Sequence, residues 1–169
     1  MEIEELAKPV GDWCPHCKPG KGCEIYTGRP KECSAFMCHW LADASLPEEF
    51  RPDRVRVMLS GDEWGNRYVA RCDPANPMAW RNEPIYGVLK QTARACWQTD
   101  MTVIVVAFKR TWLITPAADY DLGFVDPQSP IAVEKSVDGT AKFEVLPPLT
   151  PGEDFDLMAK LYRRPPKPD

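Results

Sequence analysis

Residues 101–115 have the sequence MTVIVVAFKRTWLIT, in which two apolar runs flank the basic pair Lys109-Arg110. Both runs are rich in β-branched and aromatic residues, which favour strands. A short polar pair between two such runs is typical of a hairpin turn. We therefore predict a hairpin of two buried strands, Met101–Phe108 and Thr111–Thr115.

An amphipathic helix is predicted before this hairpin. After Pro84, apolar residues recur at spacings of three and four, which places them on one face of an α-helix. Proline is tolerated in the first helical turn, so we predict a helix from Pro84 to Cys96, with Cys96 as a small buried hydrophobe. The predicted apolar face consists of Ile85, Val88, Leu89, Thr92, Ala93 and Cys96.

Two more strand pairs complete the predicted core. The dipeptide Asp138-Gly139, between two alternating runs, is the strongest short hairpin signal in the chain. The turn-rich, acidic stretch Pro116–Pro130 is predicted to be a connection. Together these elements predict an α+β fold with a mostly antiparallel sheet and one main helix. The four further strands are predicted at Val55–Ser60, Arg67–Cys72, Ile131–Val137 and Thr140–Leu146.

Composition narrows the class of protein. Of the 169 residues, 44% are apolar and 27% are charged, which is typical of a globular chain. The net charge of -4, with no basic stripe, disfavours nucleic acid as the main partner. The longest apolar run, Met101–Phe108, is far shorter than the ~18 residues of a membrane span. The first ten residues, MEIEELAKPV, lack the order of a secretory signal, so we expect a cytoplasmic protein without a membrane partner.

The cysteines are clustered near the beginning of the sequence. Trp13–Leu41 reads WCPHCKPGKGCEIYTGRPKECSAFMCHWL and holds five of the seven cysteines. Disulfides are rare in a reducing compartment, so metal binding is the better interpretation of such a cluster. In the C-x2-C element, Cys14 and Cys17 can approach one ion from a tight turn. The predicted metal ligands are Cys14, Cys17, Cys23, Cys33 and Cys38.

The sequence leaves open which of these thiols share one ion. A short helix is predicted from about Pro30 to Ala42, and on it Cys33 and Cys38 would point roughly 140° apart. Both can bind the same ion only if this helix starts late or is distorted between them. Two sites, or one site and a spare thiol, are the alternatives. The predicted apolar face of this helix consists of Cys33, Phe36, Met37, Trp40 and Leu41.

A thiolate-rich set favours zinc in a tetrahedral site of four sulfurs, or of three sulfurs and one nitrogen. The alternative is iron, or an iron–sulfur cluster held by the same thiolates. His16 and His39 are expected to support the ligands, although His39 could replace Cys38 as a ligand. Trp13 and Trp40 flank the cysteines and are expected to cover the site and exclude water.

At these residues the sequence resembles the YkgJ-like cysteine-cluster proteins, described as zinc- or iron-chelating. The resemblance lies in WCPHC at Trp13–Cys17, GCEIY at Gly22–Tyr26, RPKEC at Arg29–Cys33 and FMCHWL at Phe36–Leu41. It implies a bacterial protein whose thiols hold a metal, and no settled reaction. Members of that family usually carry a further C-x2-C-x2-CC run upstream, whereas residues 1–13 of this sequence contain no cysteine.

We therefore expect a metal-binding, non-catalytic protein that serves in interaction or metal handling, with an unidentified protein partner. Residues 1–45 are predicted to form the Cys-rich module, residues 46–149 the α+β core, and residues 150–169 a tail. A metal-dependent enzyme is one alternative, in which His16 or the Cys38-His39 pair supplies the acid or base. However, the sequence has no H-E-x2-H, G-x-S-x-G or phosphate-loop motif. A thiol redox sensor is the other alternative.

Overall fold

The structure is a computed structural model that describes residues 3–9, 14–18, 21–62 and 66–148. The predicted tail and Trp13 therefore lie outside the described residues. A five-stranded sheet forms the centre, with its strands in sequence order from one edge to the other. These strands are β3 (Val57–Gly61), β4 (Arg67–Cys72), β5 (Thr102–Ala107), β6 (Arg110–Ile114) and β7 (Asp119–Gly123).

The sheet is mixed, because β4 pairs with β5 in parallel while every other neighbouring pair in it is antiparallel. A parallel pair needs a crossover connection of a dozen or more residues. Residues 73–101 supply this connection and contain the main helix, α4 (Ile85–Ala95). The predicted α+β class and the mostly antiparallel sheet are thus confirmed, with one parallel pair added.

Helix α4 covers one face of the sheet. Its residues Ile85, Leu89 and Ala93 are buried, as the spacing predicted, and they belong to one apolar cluster with Val103 and Val105 of β5. Cys96 ends the helix and is only partly buried.

A second hairpin covers the opposite face of the sheet. It consists of β8 (Ile131–Lys135) and β9 (Ala141–Val145), and Ile131 and Val133 pack in a cluster with Ile104 of β5. Strand β5 is therefore buried on both faces, which explains why its sequence is apolar without alternation. The Nζ atom of the buried Lys135 donates hydrogen bonds to the carbonyl oxygens of Cys96, Thr99 and Met101, at 3.1, 2.8 and 2.6 Å.

Several boundaries differ from the prediction. The stretch Pro116–Pro130 contains the edge strand β7, so its assignment as a mere connection was wrong. Strand β3 starts two residues late because Pro52–Val55 forms a short helix, α3. The turn between β5 and β6 lies at Phe108-Lys109, where Phe108 has a positive φ of 58°.

The helix predicted from Pro30 to Ala42 is divided in two. Helix α1 covers Lys31–Ala35 and helix α2 covers His39–Ala42, with extended backbone at Phe36 and Cys38 on either side of Met37. Met37 and Leu41, predicted on a buried face, are more than half exposed. None of the helices in the described ranges is both long and apolar enough to cross a membrane.

The packing of α4 generates a stability prediction. Leu89 is fully buried, so Leu89→Ala removes packed methyl groups and leaves a cavity, at a cost of about 2–5 kcal/mol in the free energy of unfolding. Gln91→Ala, on the exposed side of the same helix, should change it by no more than about 0.5 kcal/mol. Denaturant unfolding of both variants measures the difference. Equal effects would contradict the orientation of α4.

Candidate metal centre

The first part of the cysteine cluster forms a tight hairpin. Strand β1 (Cys17–Lys18) pairs in antiparallel fashion with β2 (Gly22–Cys23). Before it, the N–H of Cys17 donates a hydrogen bond to the carbonyl oxygen of Cys14 at 3.0 Å, which closes the C-x2-C turn. Gly22 has a φ of 96°, a conformation that glycine adopts without strain. The predicted C-x2-C turn and the glycine-rich return to Cys23 are both present.

Cys17 and Cys23 lie directly opposite each other on this hairpin. Next to them, the N–H of Glu24 donates to the carbonyl oxygen of His16 at 2.9 Å. This bond flanks the cysteine pair, so Cys17 and Cys23 occupy a non-hydrogen-bonded position of the ladder. Side chains at such a position share a face of the hairpin, with Cβ atoms about 4.5–5.5 Å apart. The side chains of Cys17 and Cys23 are therefore adjacent at their Cβ atoms.

Electrostatics links four of the thiols. The pKa of Cys17 is raised by burial first, and then by the nearby thiols of Cys14 and Cys23. The pKa of Cys33 is raised by burial, and again by Cys14 and Cys23. Arg29 acts in the opposite direction on Cys33 and lowers its pKa. Cys17 and Cys23 on the hairpin, and Cys14 in the turn before it, thus share one neighbourhood with Cys33 on α1.

Cys38 has a different environment. It immediately precedes α2, which contacts β3, and it is only 4% exposed. It is not among the thiols that raise the pKa of Cys17 or Cys33. The helix predicted to carry both Cys33 and Cys38 is broken between α1 and α2, so the distortion that a shared ion would need is present. However, the break leaves Cys38 in the protein interior.

The four neighbouring thiols do not yet form a ligand shell. Among the residues described, no three His, Cys, Asp or Glu side chains are arranged as a group that could hold a metal ion. Thiolates repel one another, so close convergence of their sulfurs needs a compensating cation. The four thiols thus lie near enough to affect one another electrostatically, but not in the arrangement of a ligand shell.

The residues expected to support the metal ligands lie in different environments. The ring of His39 packs edge-on against Tyr68 of β4, with centroids 4.7 Å apart, and burial lowers its pKa below the ordinary 6.5. Trp40 is half-buried, and the guanidinium of Arg51 lies 5.9 Å from its ring centroid. His16 is half-buried in the C-x2-C turn. His39 therefore helps to join the N-terminal segment, defined as residues 14–45, to the sheet.

The N-terminal segment has almost no hydrophobic core. Of the residues described between positions 14 and 45, only Pro30 and Cys38 are buried. Tyr26, Met37 and Leu41 are each more than half exposed. A segment that buries so little apolar surface gains little folding free energy from packing.

A separate cleft of about 590 Å³ lies between α3 and the start of α4. Its lining includes Arg54, Arg56, Asn76, Met78 and Glu83, and no cysteine or histidine. Three of its charged groups, on Arg54, Arg56 and Glu83, have partners within the protein. These partners are Glu48 for Arg54, Asp73 for Arg56 and the N–H of Gly87 for Glu83.

Sequence reasoning missed one polar network, which links α4 to β7. The hydroxyl of Tyr86 donates to Asp119 at 3.0 Å, and Lys90 Nζ donates to Asp119 at 3.1 Å and to the carbonyl oxygen of Thr115 at 2.6 Å. Tyr86 and Lys90 lie one helical turn apart, which was the available signal. Their shared partner is distant in sequence, and it holds the edge strand against the helix.

Comparisons of the chain with protein-family models, with curated proteins and with solved structures gave no match. The resemblance to the YkgJ-like proteins therefore stays a prediction.

The environment of His39 generates a titration prediction. NMR of the two histidines should give His39 a pKa below 6.5, and Tyr68→Ala should raise it by exposing the ring. Because the pKa of His39 is lower in the folded than in the unfolded state, its contribution to the free energy of unfolding is fully present above pH 6.5. This contribution is lost as the pH falls through the lowered pKa, because the unfolded state then binds more protons. His39→Gln assigns the signal, and Tyr26→Ala, at an exposed position, is the control. A pKa of 6.5 or higher in the parent protein would contradict this packing.

Proposed function

We propose that this protein binds one zinc ion through Cys14, Cys17, Cys23 and Cys33. In this proposal the ion is structural and organises the N-terminal segment, and the protein is a non-catalytic module for interaction or metal handling. The observation that carries the proposal is the shared neighbourhood of these four thiols, of which Cys17 and Cys23 lie on one hairpin, Cys14 in the turn before it and Cys33 on α1.

The donor chemistry supports zinc. Four thiolates complete a tetrahedral shell, and a closed shell of this kind is typical of structural sites, whereas catalytic sites keep a position open for water. A Zn²⁺ ion with four thiolates has a net charge of -2. Arg29 already lowers the pKa of Cys33 and would offset part of that charge.

Energetics supports a structural role for the ion. Ligation supplies folding free energy when a segment cannot obtain it from a core. The described residues from 14 to 45 have only two buried members, so they match this condition. In contrast, the sheet buries apolar residues on both faces. We infer that loss of the ion would loosen the N-terminal segment and leave the sheet folded.

The proposal uses four of the five predicted ligands. Cys38 is buried at the start of α2, and His39 beside it packs against Tyr68. Burial there serves the contact between α2 and the sheet, so we assign Cys38 a packing role. In this proposal Cys33 binds the ion and Cys38 does not.

An interaction role has its own support. The exposed apolar side chains of Tyr26, Met37 and Leu41 all belong to the N-terminal segment. Six other large apolar side chains are exposed elsewhere in the described chain, and we infer a contact site at these three because the proposed ion would hold them in one segment. The ion would fix the shape of the segment that carries them.

Metal analysis of the purified protein tests the proposal. We expect close to one zinc ion per chain, and we expect Cys14→Ser, Cys17→Ser, Cys23→Ser and Cys33→Ser each to lose most of it, because each removes one of the four sulfurs. Cys38→Ser and Cys96→Ser are the matched controls and should retain it.

Three results would contradict the proposal. The first is protein without stoichiometric metal. The second is visible absorption with bound iron and sulfide, which would replace zinc by an iron–sulfur cluster. The third is a loss of zinc in Cys38→Ser as large as that in Cys33→Ser, which would refute the assignment of the ligands.

A further inference from the structure

We propose that Cys17 and Cys23 form an oxidative modification site, at which a hydroperoxide joins the two sulfurs in a disulfide and so releases the metal. This inference rests on the proposed zinc site and adds a means of its regulation. Its basis is the position of the two cysteines on the hairpin and the difference in their exposure.

The register of the hairpin suits a disulfide. Residues directly opposite in a non-hydrogen-bonded pair have Cα atoms about 4.5 Å apart. Disulfides span Cα separations of about 4.4–6.8 Å, so the bond between Cys17 and Cys23 needs no movement of the backbone. The ladder bond from Glu24 to His16 holds this register beside the pair.

Exposure decides which sulfur reacts first. Cys23 is exposed, as is its neighbour Gly22, whereas Cys17 is partly buried. A small oxidant therefore reaches Cys23 more easily. Cys17, held directly across the hairpin, is positioned to resolve the oxidised intermediate.

The reaction balances with hydrogen peroxide as the oxidant. The Cys23 thiolate attacks one peroxide oxygen, the O–O bond breaks, and hydroxide leaves and takes up a proton to form water. Cys23 is then a sulfenic acid. The Cys17 thiolate attacks its sulfur, the S–O bond breaks, and a second hydroxide leaves and is protonated. The two sulfurs together lose two electrons and the peroxide gains them.

Loss of two thiolates should release the ion. Thiolates, and not disulfide sulfurs, are the metal ligands, so the disulfide leaves only Cys14 and Cys33 of the proposed shell. Because the described part of the N-terminal segment buries only Pro30 and Cys38, nothing comparable to a core would hold α1 in place. A thiol reductant would reverse the change by thiol–disulfide exchange.

Peroxide treatment of the zinc-loaded protein tests this inference. Zinc content is measured first, then zinc release with a chromophoric chelator and free thiols with a disulfide reagent. We expect two thiols to disappear for each zinc ion released, and dithiothreitol to restore both. Tryptic cleavage after Lys21 separates Cys23 from Cys14 and Cys17. Mass spectrometry of the linked peptides, with fragmentation, should then place the bond between Cys17 and Cys23.

A variant that cannot form the disulfide tests whether zinc release depends on this bond. Cys23→His cannot form the disulfide and offers zinc a three-sulfur, one-nitrogen set; because it replaces a proposed ligand, its zinc content is measured before peroxide is added. We expect it to release zinc at least several-fold more slowly than the parent at the same peroxide concentration. Cys38→Ser and Cys96→Ser should respond as the parent does. If Cys23→His binds no zinc, the peptide map of the parent protein decides.

The possible failures are distinguishable. Absence of zinc before peroxide is added would refute the proposed function itself. Zinc present at first, but retained with all seven thiols under peroxide, would overturn only this inference. A bond from Cys23 to Cys14, Cys33 or Cys38, or equally fast zinc release from Cys23→His, would also overturn it.

Discussion

The parallel pairing of β4 with β5 is the constraint on which the rest of the fold depends. It places β5 in the middle of the sheet and requires a long crossover, which carries α4 onto one face. The same crossover contains Trp80, which is fully buried, with its ring 5.4 Å from that of Trp112. The hairpin of β8 and β9 then covers the other face, so the central strand is removed from water on both sides.

The N-terminal segment is stabilised differently from the sheet. Its described residues form short turns, a two-residue ladder and two helices of less than two turns, with almost nothing buried. Contact with the sheet is made through α2, where Cys38 is buried and His39 meets Tyr68. We propose that the thiols of the hairpin and α1 stabilise the rest of the segment. In the proposed zinc site, the cation offsets the repulsion between the thiolates, and all four of them bind it.

The sequence was sufficient to predict elements whose pattern is local. Strand β4, helix α4 and the hairpin of β5 and β6 were predicted within one or two residues, because periodicity and turn residues define them. Strand β7 was missed because its sequence, DYDLG, is polar, and its place depends on pairing with β6 and on the link from Lys90 to Asp119. The five candidate cysteines were visible from their spacing alone. Separating Cys38 from the other four required the break between α1 and α2, which the helical pattern concealed.

The central claim is that four thiolates bind one zinc ion, and determining the ligand shell of the metal tests it most directly. X-ray absorption at the zinc edge of the purified protein should show four sulfur atoms at about 2.3 Å and no nearer oxygen or nitrogen. A shell that contains water or carboxylate oxygen, or a protein that holds no zinc, would contradict the account.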